Sequence, residues 1–208
     1  MKKILVAVMV ILLSACSLNS MATPKQKVAD FLDKYKNQDK DILDQLDETI
    51  NSEYTDEDYR TRYRTLMTNQ YKNMEYKIKD EIIEDDNAVV EVEVTVYDYA
   101  SSIKNSNDYL NEHSDEFMLN NETTKESTDN TTDADDETTK ERATDSGLLG
   151  NYDESKFTDY KLTQMENVKD TVTYTIEFTL TKVNGEWQLD SLSNADIEKL
   201  HGIYVSQD

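Results

Sequence analysis

"TVTYTIEFTLTKVNGEWQLDSL", residues 171–192, decides the fold. Val172, Tyr174, Ile176, Phe178 and Leu180 alternate with Thr173, Thr175, Glu177, Thr179 and Thr181. A two-residue period of this kind is a strand with one buried and one solvated face. Asn184-Gly185 then supplies the left-handed backbone that a tight hairpin turn needs. The chain returns with Trp187 and Leu189 on one face.

A second segment has the same period. Val90, Val92, Val94 and Val96 alternate with Glu91, Glu93 and Thr95, and "EDDN" at 84–87 is the turn before them. Tyr76, Ile78 and Ile82 alternate with Lys77, Lys79 and Glu81 on the preceding strand. Two antiparallel hairpins are expected, each with one face toward a core.

Helical spacing fills the intervals. Thr23, Pro24 and Gln26 form a capping box with proline at the first position. Val28, Phe31, Leu32 and Tyr35 follow as an apolar stripe. A second helix is expected over about 39–50, with Ile42, Leu43, Leu46 and Ile50 inward, and a third over about 55–71. The third places Asp56, Glu57 and Asp58 early and Arg60, Arg62, Arg64 and Lys72 late, which complements the helix dipole. Further helices are expected over about 101–117 and 153–166, and a short last one capped by Asn194. The fold class is therefore α+β, with helices packed on one face of an antiparallel sheet.

Residues 121–147 hold eight threonines, nine acids, three bases and no apolar residue beyond Ala134 and Ala143. Such a segment buries too little surface to offset its ordering entropy. It is expected to be a disordered acidic insertion in a single domain spanning 23–208.

The start of the chain, "MKKILVAVMVILLSAC", has a positive end, an apolar run from Ile4 to Leu13, and small residues before Cys16. This is the layout of a signal peptide, expected over 1–15, with a run too short to span a bilayer. Leu13-Ser14-Ala15-Cys16 resembles the lipobox of bacterial lipoproteins. The resemblance implies that Cys16 becomes the first mature residue and carries diacylglycerol. Residues 16–22 would then be a tether of at most about 20 Å, on the outer face of the cell membrane. Cys16 is the one cysteine of the chain, so disulfides and cysteine-based zinc sites are excluded.

The formal charge is −22, and loss of Lys2 and Lys3 with the signal peptide lowers it by two. Such a surface repels phosphate backbones, so nucleic acid is not expected as a partner. Frequent Lys, Asn, Ile and Tyr suit an AT-rich genome and, with the lipobox, a Gram-positive source. No cofactor motif, phosphate-cradling glycine loop or metal spacing is present.

The lipobox, the opening helix "TPKQKVADFLDKYKNQD" and the closing hairpin "YTIEFTLTKVNGEWQLDSL" together resemble the small NTF2-like (cystatin-like) lipoproteins of bacteria. The resemblance covers 23–118 and 150–205 and implies a curved sheet around a helix, with a cone-shaped pocket. It implies no ligand, because such folds host many functions.

Several residues are candidates for chemistry. Asp80 shares the parity of Tyr76, Ile78 and Ile82, and a carboxylate buried there would suit general base work of the isomerase or dehydratase kind. A bulge would instead turn it outward. Asp98 continues the Val90–Val96 face but sits at the strand end. Arg60 and Arg64, one turn apart, fit an anionic group, or else balance Asp56 and Glu57. Trp187 and the tyrosines at 59, 63, 71, 76, 97, 99 and 174 are candidates for a pocket wall. His113 and His201 follow no metal spacing and read as surface residues. The expectation is a lipid-anchored, non-catalytic domain that binds a small molecule or an envelope protein. The alternatives are a pocket enzyme using Asp80, or an interaction or stress-related lipoprotein that uses the acidic insertion.

Overall fold

The structure, a computed structural model, describes residues 22–119 and 152–205. The signal peptide, Cys16, most of the tether and the acidic insertion lie outside the described residues. In chain order the elements are α1 (Pro24–Asn37), α2 (Lys40–Glu53), α3 (Glu57–Asn73), β1 (Glu75–Glu84), β2 (Asn87–Tyr97) and α4 (Tyr99–Glu112). After a 3-10 turn (Ser114–Phe117) come α5 (Glu154–Glu166), β3 (Thr171–Val183), β4 (Glu186–Leu189) and α6 (Asn194–His201). Among the described residues, six helices pack on one antiparallel sheet of order β1-β2-β3-β4. The α+β expectation holds.

The two long strands make the inner face by register. Val90 lies opposite Phe178, Val92 opposite Ile176, and Val94 opposite Tyr174. Val90, Val92, Val94, Ile176 and Phe178 are fully buried. Helix α1 lies over this face, with Phe31 edge-on to Phe178 at 5.9 Å between ring centres. The α1 capping box forms as its sequence requires: the Thr23 hydroxyl accepts from Gln26 N, and Gln26 Oε1 from Thr23 N.

Strand β1 departs from its sequence pattern. A bulge lies between Ile78 and Glu81, so Glu81 rather than Asp80 comes opposite the inward Val90. A bulge adds one residue and reverses parity beyond it. Asp80 is consequently exposed, and Ile82 is 61% exposed rather than inward. The shift has a visible gain: Glu81 Oε1 accepts the amide of Lys25 at 3.1 Å, an otherwise orphan donor in the first turn of α1. The last helix is capped by Ser193, whose hydroxyl accepts from Asp196 N, and not by Asn194.

Two further devices fix the helices. Gln70 of α3 is wholly buried. Its oxygen accepts from Tyr97 N at 2.9 Å, and its amide donates to the carbonyls of Tyr97 and His201 at 3.1 and 3.0 Å. One side chain thus ties α3 to the end of β2 and the end of α6. Arg62 of α3 reaches α5: both Glu166 oxygens accept from it at 2.7 and 3.1 Å, and Asp159 and Thr163 also accept.

Candidate functional site

A cavity of about 530 Å³ lies among the helices. Its wall comes from Tyr35 of α1, the inner stripe of α2, Tyr63, Met67 and Tyr71 of α3, Ile103 of α4, Lys161 and Met165 of α5, and Ile197 and His201 of α6. No strand residue lines it. It therefore lies away from the sheet surface, where the NTF2-like resemblance implies a cone.

The wall follows from helical periodicity. Ile42, Leu46 and Thr49 recur on α2, with Gln45 beside them, and Tyr63, Met67 and Tyr71 recur every fourth residue on α3. Tyr35 meets Tyr71 edge-on at 5.1 Å, and Tyr54 meets Tyr63 at 5.4 Å. Tyrosine offers apolar area with a polar tip, which suits a wall that is mostly apolar but not inert. Burial pushes the hydroxyls of Tyr35, Tyr63 and Tyr71 well above the usual phenol range, and that of Tyr54 up to about 12. All four are neutral at physiological pH.

His201 belongs to this wall and not to the outer surface, which corrects the expectation from its spacing. Its Nε2 lies 3.1 Å from the Tyr71 hydroxyl. Burial pushes the imidazole down to about 4, so it is neutral at pH 7. A neutral ring that accepts the Tyr71 O–H at Nε2 carries its hydrogen on Nδ1. His113 sits elsewhere, stacked on Tyr109 at 4.2 Å and half-exposed.

Two polar atoms in the wall lack a match within the described residues. The Gln45 side-chain oxygen is buried and accepts no hydrogen bond. The Lys161 ammonium is half-buried and finds no oxygen acceptor. The Phe157 ring lies beside it, 5.8 Å from nitrogen to ring centre. Burial lowers its pKa, against the opposing pull of Glu53 and Glu154. Burial likewise raises that of Glu53, opposed by Lys161.

The residues singled out by sequence do not come together here. Asp80 is in solvent on β1. Asp98 caps α4, its oxygens accepting from the Ser101 amide and hydroxyl. Arg60 donates to the Tyr54 carbonyl at 2.7 Å and pairs with Glu57, whereas Arg64 pairs through two nitrogens with Asp47 of α2 at 2.7 and 3.3 Å. Each guanidinium already holds an acceptor of its own, so the two do not form an anion clamp. Trp187 is half-buried on β4, with the Lys182 ammonium 5.5 Å from its ring, and does not line the cavity. Of the seven tyrosines considered, only Tyr63 and Tyr71 line it, joined by Tyr35 and Tyr54.

Sequence reasoning missed Lys161. Its signal was present: Phe157, Lys161 and Met165 recur every fourth residue, which sets a lysine in an apolar stripe.

No protein-family model, curated protein or solved structure matches this chain. Among the described residues no helix is long and apolar enough to cross a membrane, and no group of three or more His, Cys, Asp or Glu could hold a metal ion.

Proposed function

We propose that this is a lipid-anchored protein of the cell envelope whose ordered domain is a non-catalytic binding module. Its ligand is a small, mainly apolar molecule held among the helices. The cavity carries the reading. Its volume of about 530 Å³ falls within the roughly 300–1,000 Å³ of ligand sites, and such sites pair an apolar wall with few polar groups. The unmatched Gln45 oxygen and Lys161 ammonium are groups that a ligand, and not the protein, would satisfy. The lipobox at Cys16 supports the anchor, and the hairpins and opening helix support NTF2-like ancestry. The enzyme reading loses its motivation, because its base, Asp80, faces solvent and the Tyr71–His201 pair is neutral and closed on itself.

Nile red, a neutral apolar dye, tests the binding reading. Saturable fluorescence enhancement is expected, lost in Leu46→Trp, which fills the cavity. Circular dichroism checks that the variant is folded. Absence of saturable binding, or equal binding by a folded Leu46→Trp protein, would remove the proposal.

A further inference from the structure

We propose that the cavity takes an amphiphile with a carboxylate head group, a fatty-acid-like molecule whose head pairs with Lys161. This rests on the binding-module reading and adds the chemical class of the ligand.

The placement of Lys161 is built in. Its position between Phe157 and Met165 on the inward stripe of α5 sends its side chain to the cavity wall. The Arg62 contacts with Asp159, Thr163 and Glu166 hold that helix against α3. Lys34 reaches Asp41, Lys79 Glu93, Lys156 the Met118 carbonyl and Lys199 Asp196, while Lys36 and Lys182 lie over the rings of Tyr76 and Trp187 outside the cavity. Lys161, the lysine of the cavity wall, reaches no acceptor oxygen among the described residues, and the Phe157 ring lies beside it. A partly desolvated ammonium without an acceptor is unfavourable, and an ionised acceptor is its best partner.

The opposing signs weigh less. Glu48, Glu53 and Glu198 also line the cavity, and the whole chain carries a formal charge of −22. Glu48 is exposed and solvated, whereas the Glu53 carboxyl is partly desolvated and, with Glu154, pulls on Lys161 without forming an ion pair with it. At physiological salt, charges beyond about 8 Å are largely screened, whereas a contact in a half-buried site is not. A direct contact with Lys161 therefore outweighs the distant charges, and the nearer Glu53 and Glu154 leave the ammonium's hydrogens to a ligand carboxylate because neither forms an ion pair with it. Ile42, Leu46, Met67, Ile103 and Ile197 supply the surface for a hydrocarbon body.

Isothermal titration of the full-length chain carrying Cys16→Ser, with decanoate, decanol and decylamine as three probes of similar length, tests the assignment. Decanoate is expected to bind tenfold or more tightly than decanol, since a hydrogen bond to a charged group is worth about that factor or more. Decylamine should bind most weakly. Lys161→Met should lower decanoate affinity tenfold or more, so that decanoate no longer exceeds decanol, and Lys161→Arg should keep the preference. Circular dichroism and saturable Nile red binding check that the Lys161→Met protein is folded with its cavity, and Lys161→Gln serves if that variant does not fold. Equal binding of acid and alcohol by the parent chain, a preference that survives Lys161→Met, or tightest binding of decylamine would overturn the carboxylate assignment and leave the binding module standing. Failure of all three probes to bind would overturn both.

Discussion

Lys161 and His201 show two ways in which a titratable side chain tolerates burial. His201 becomes neutral and gives its Nε2 to the Tyr71 hydroxyl. Lys161 stays beside a ring without an acceptor. The contrast leads to opposite expectations on substitution. Lys161→Met keeps the shape of the stem and removes a poorly solvated charge, so it should raise the melting temperature, by about 0.5–1 kcal/mol in stability, while removing the carboxylate preference. Differential scanning calorimetry of the unliganded protein checks the sign; a clear loss would mean that the ammonium is well satisfied. For His201 the folded pKa of about 4 lies below the ordinary 6.5. Below pH 6.5 the unfolded chain binds a proton that the folded chain does not. Stability from this group is complete above about 6.5, declines as pH falls toward 4, and is level below that. The total is on the order of 3 kcal/mol. The difference in unfolding free energy between the parent and His201→Gln should therefore narrow from pH 7 to pH 4.5. A constant difference would place the imidazole in water. Neither role was legible in the sequence. His201, the last residue of α6, has no spacing partner, and its neighbour Tyr71 is 130 positions away. Lys161 was legible as a break in an apolar stripe, but a single charge in a stripe more often marks its edge.

At the scale of the element, β1 and the α6 terminus decide what the sequence pattern leaves open. Alternation in "YKIKDEIIE" at 76–84 predicts a uniform face. A bulge is invisible to a period of two, because it changes parity without changing residue types. The burial of β2 and β3 was readable because their apolar positions run unbroken on one face, from Ala88 to Val96 and from Val172 to Leu180. The helices were readable for the same reason, with boundaries displaced by up to three residues where capping side chains, such as Asp56 and Ser193, set the start, except that α4 ends at Glu112, five residues short of the expected 117, where a 3-10 turn takes over. Gly202 ends α6 at φ +70°, and a Cβ there would lie 2.1 Å from the Tyr97 carbonyl oxygen and 2.2 Å from the Gln70 amide. Gly202→Ala must therefore both strain the backbone and dislodge the Gln70 clamp, for a loss of about 3 kcal/mol or more. Gly185, at φ +86°, meets nothing within 4 Å, so Gly185→Ala should lose only about 1 kcal/mol. Urea denaturation of the two variants compares them directly; equal losses would mean that the clamp around Gly202 has room to yield.

Over the whole molecule, the long segment between the 3-10 turn and α5 leaves and rejoins the domain at one place. Met118 and Tyr152 form an antiparallel bridge, and Asp153 N donates to the Phe117 carbonyl at 2.8 Å. Phe117 and Phe157 meet edge-on at 5.5 Å beneath this closure. Replacing residues 121–147 by a short Gly-Ser link should leave the melting temperature unchanged or raise it slightly, since each halving of a loop recovers about 0.6 kcal/mol of closure entropy. A large fall would show that the acidic segment contributes to the fold. The domain packs its sheet and α1 into an apolar core and holds open space among the helices, where four tyrosines, one histidine and one lysine meet a wall of aliphatic side chains. That division of labour is the central claim, and the methionine methyl groups report on it. Met67 and Met165 line the cavity, whereas Met74 is buried outside it. In a carbon-13 methyl spectrum titrated with decanoate, the Met67 and Met165 resonances should shift together and saturate while Met74 stays in place. Movement of Met74 to the same extent, or no saturable movement of Met67 and Met165, would contradict a ligand site among the helices.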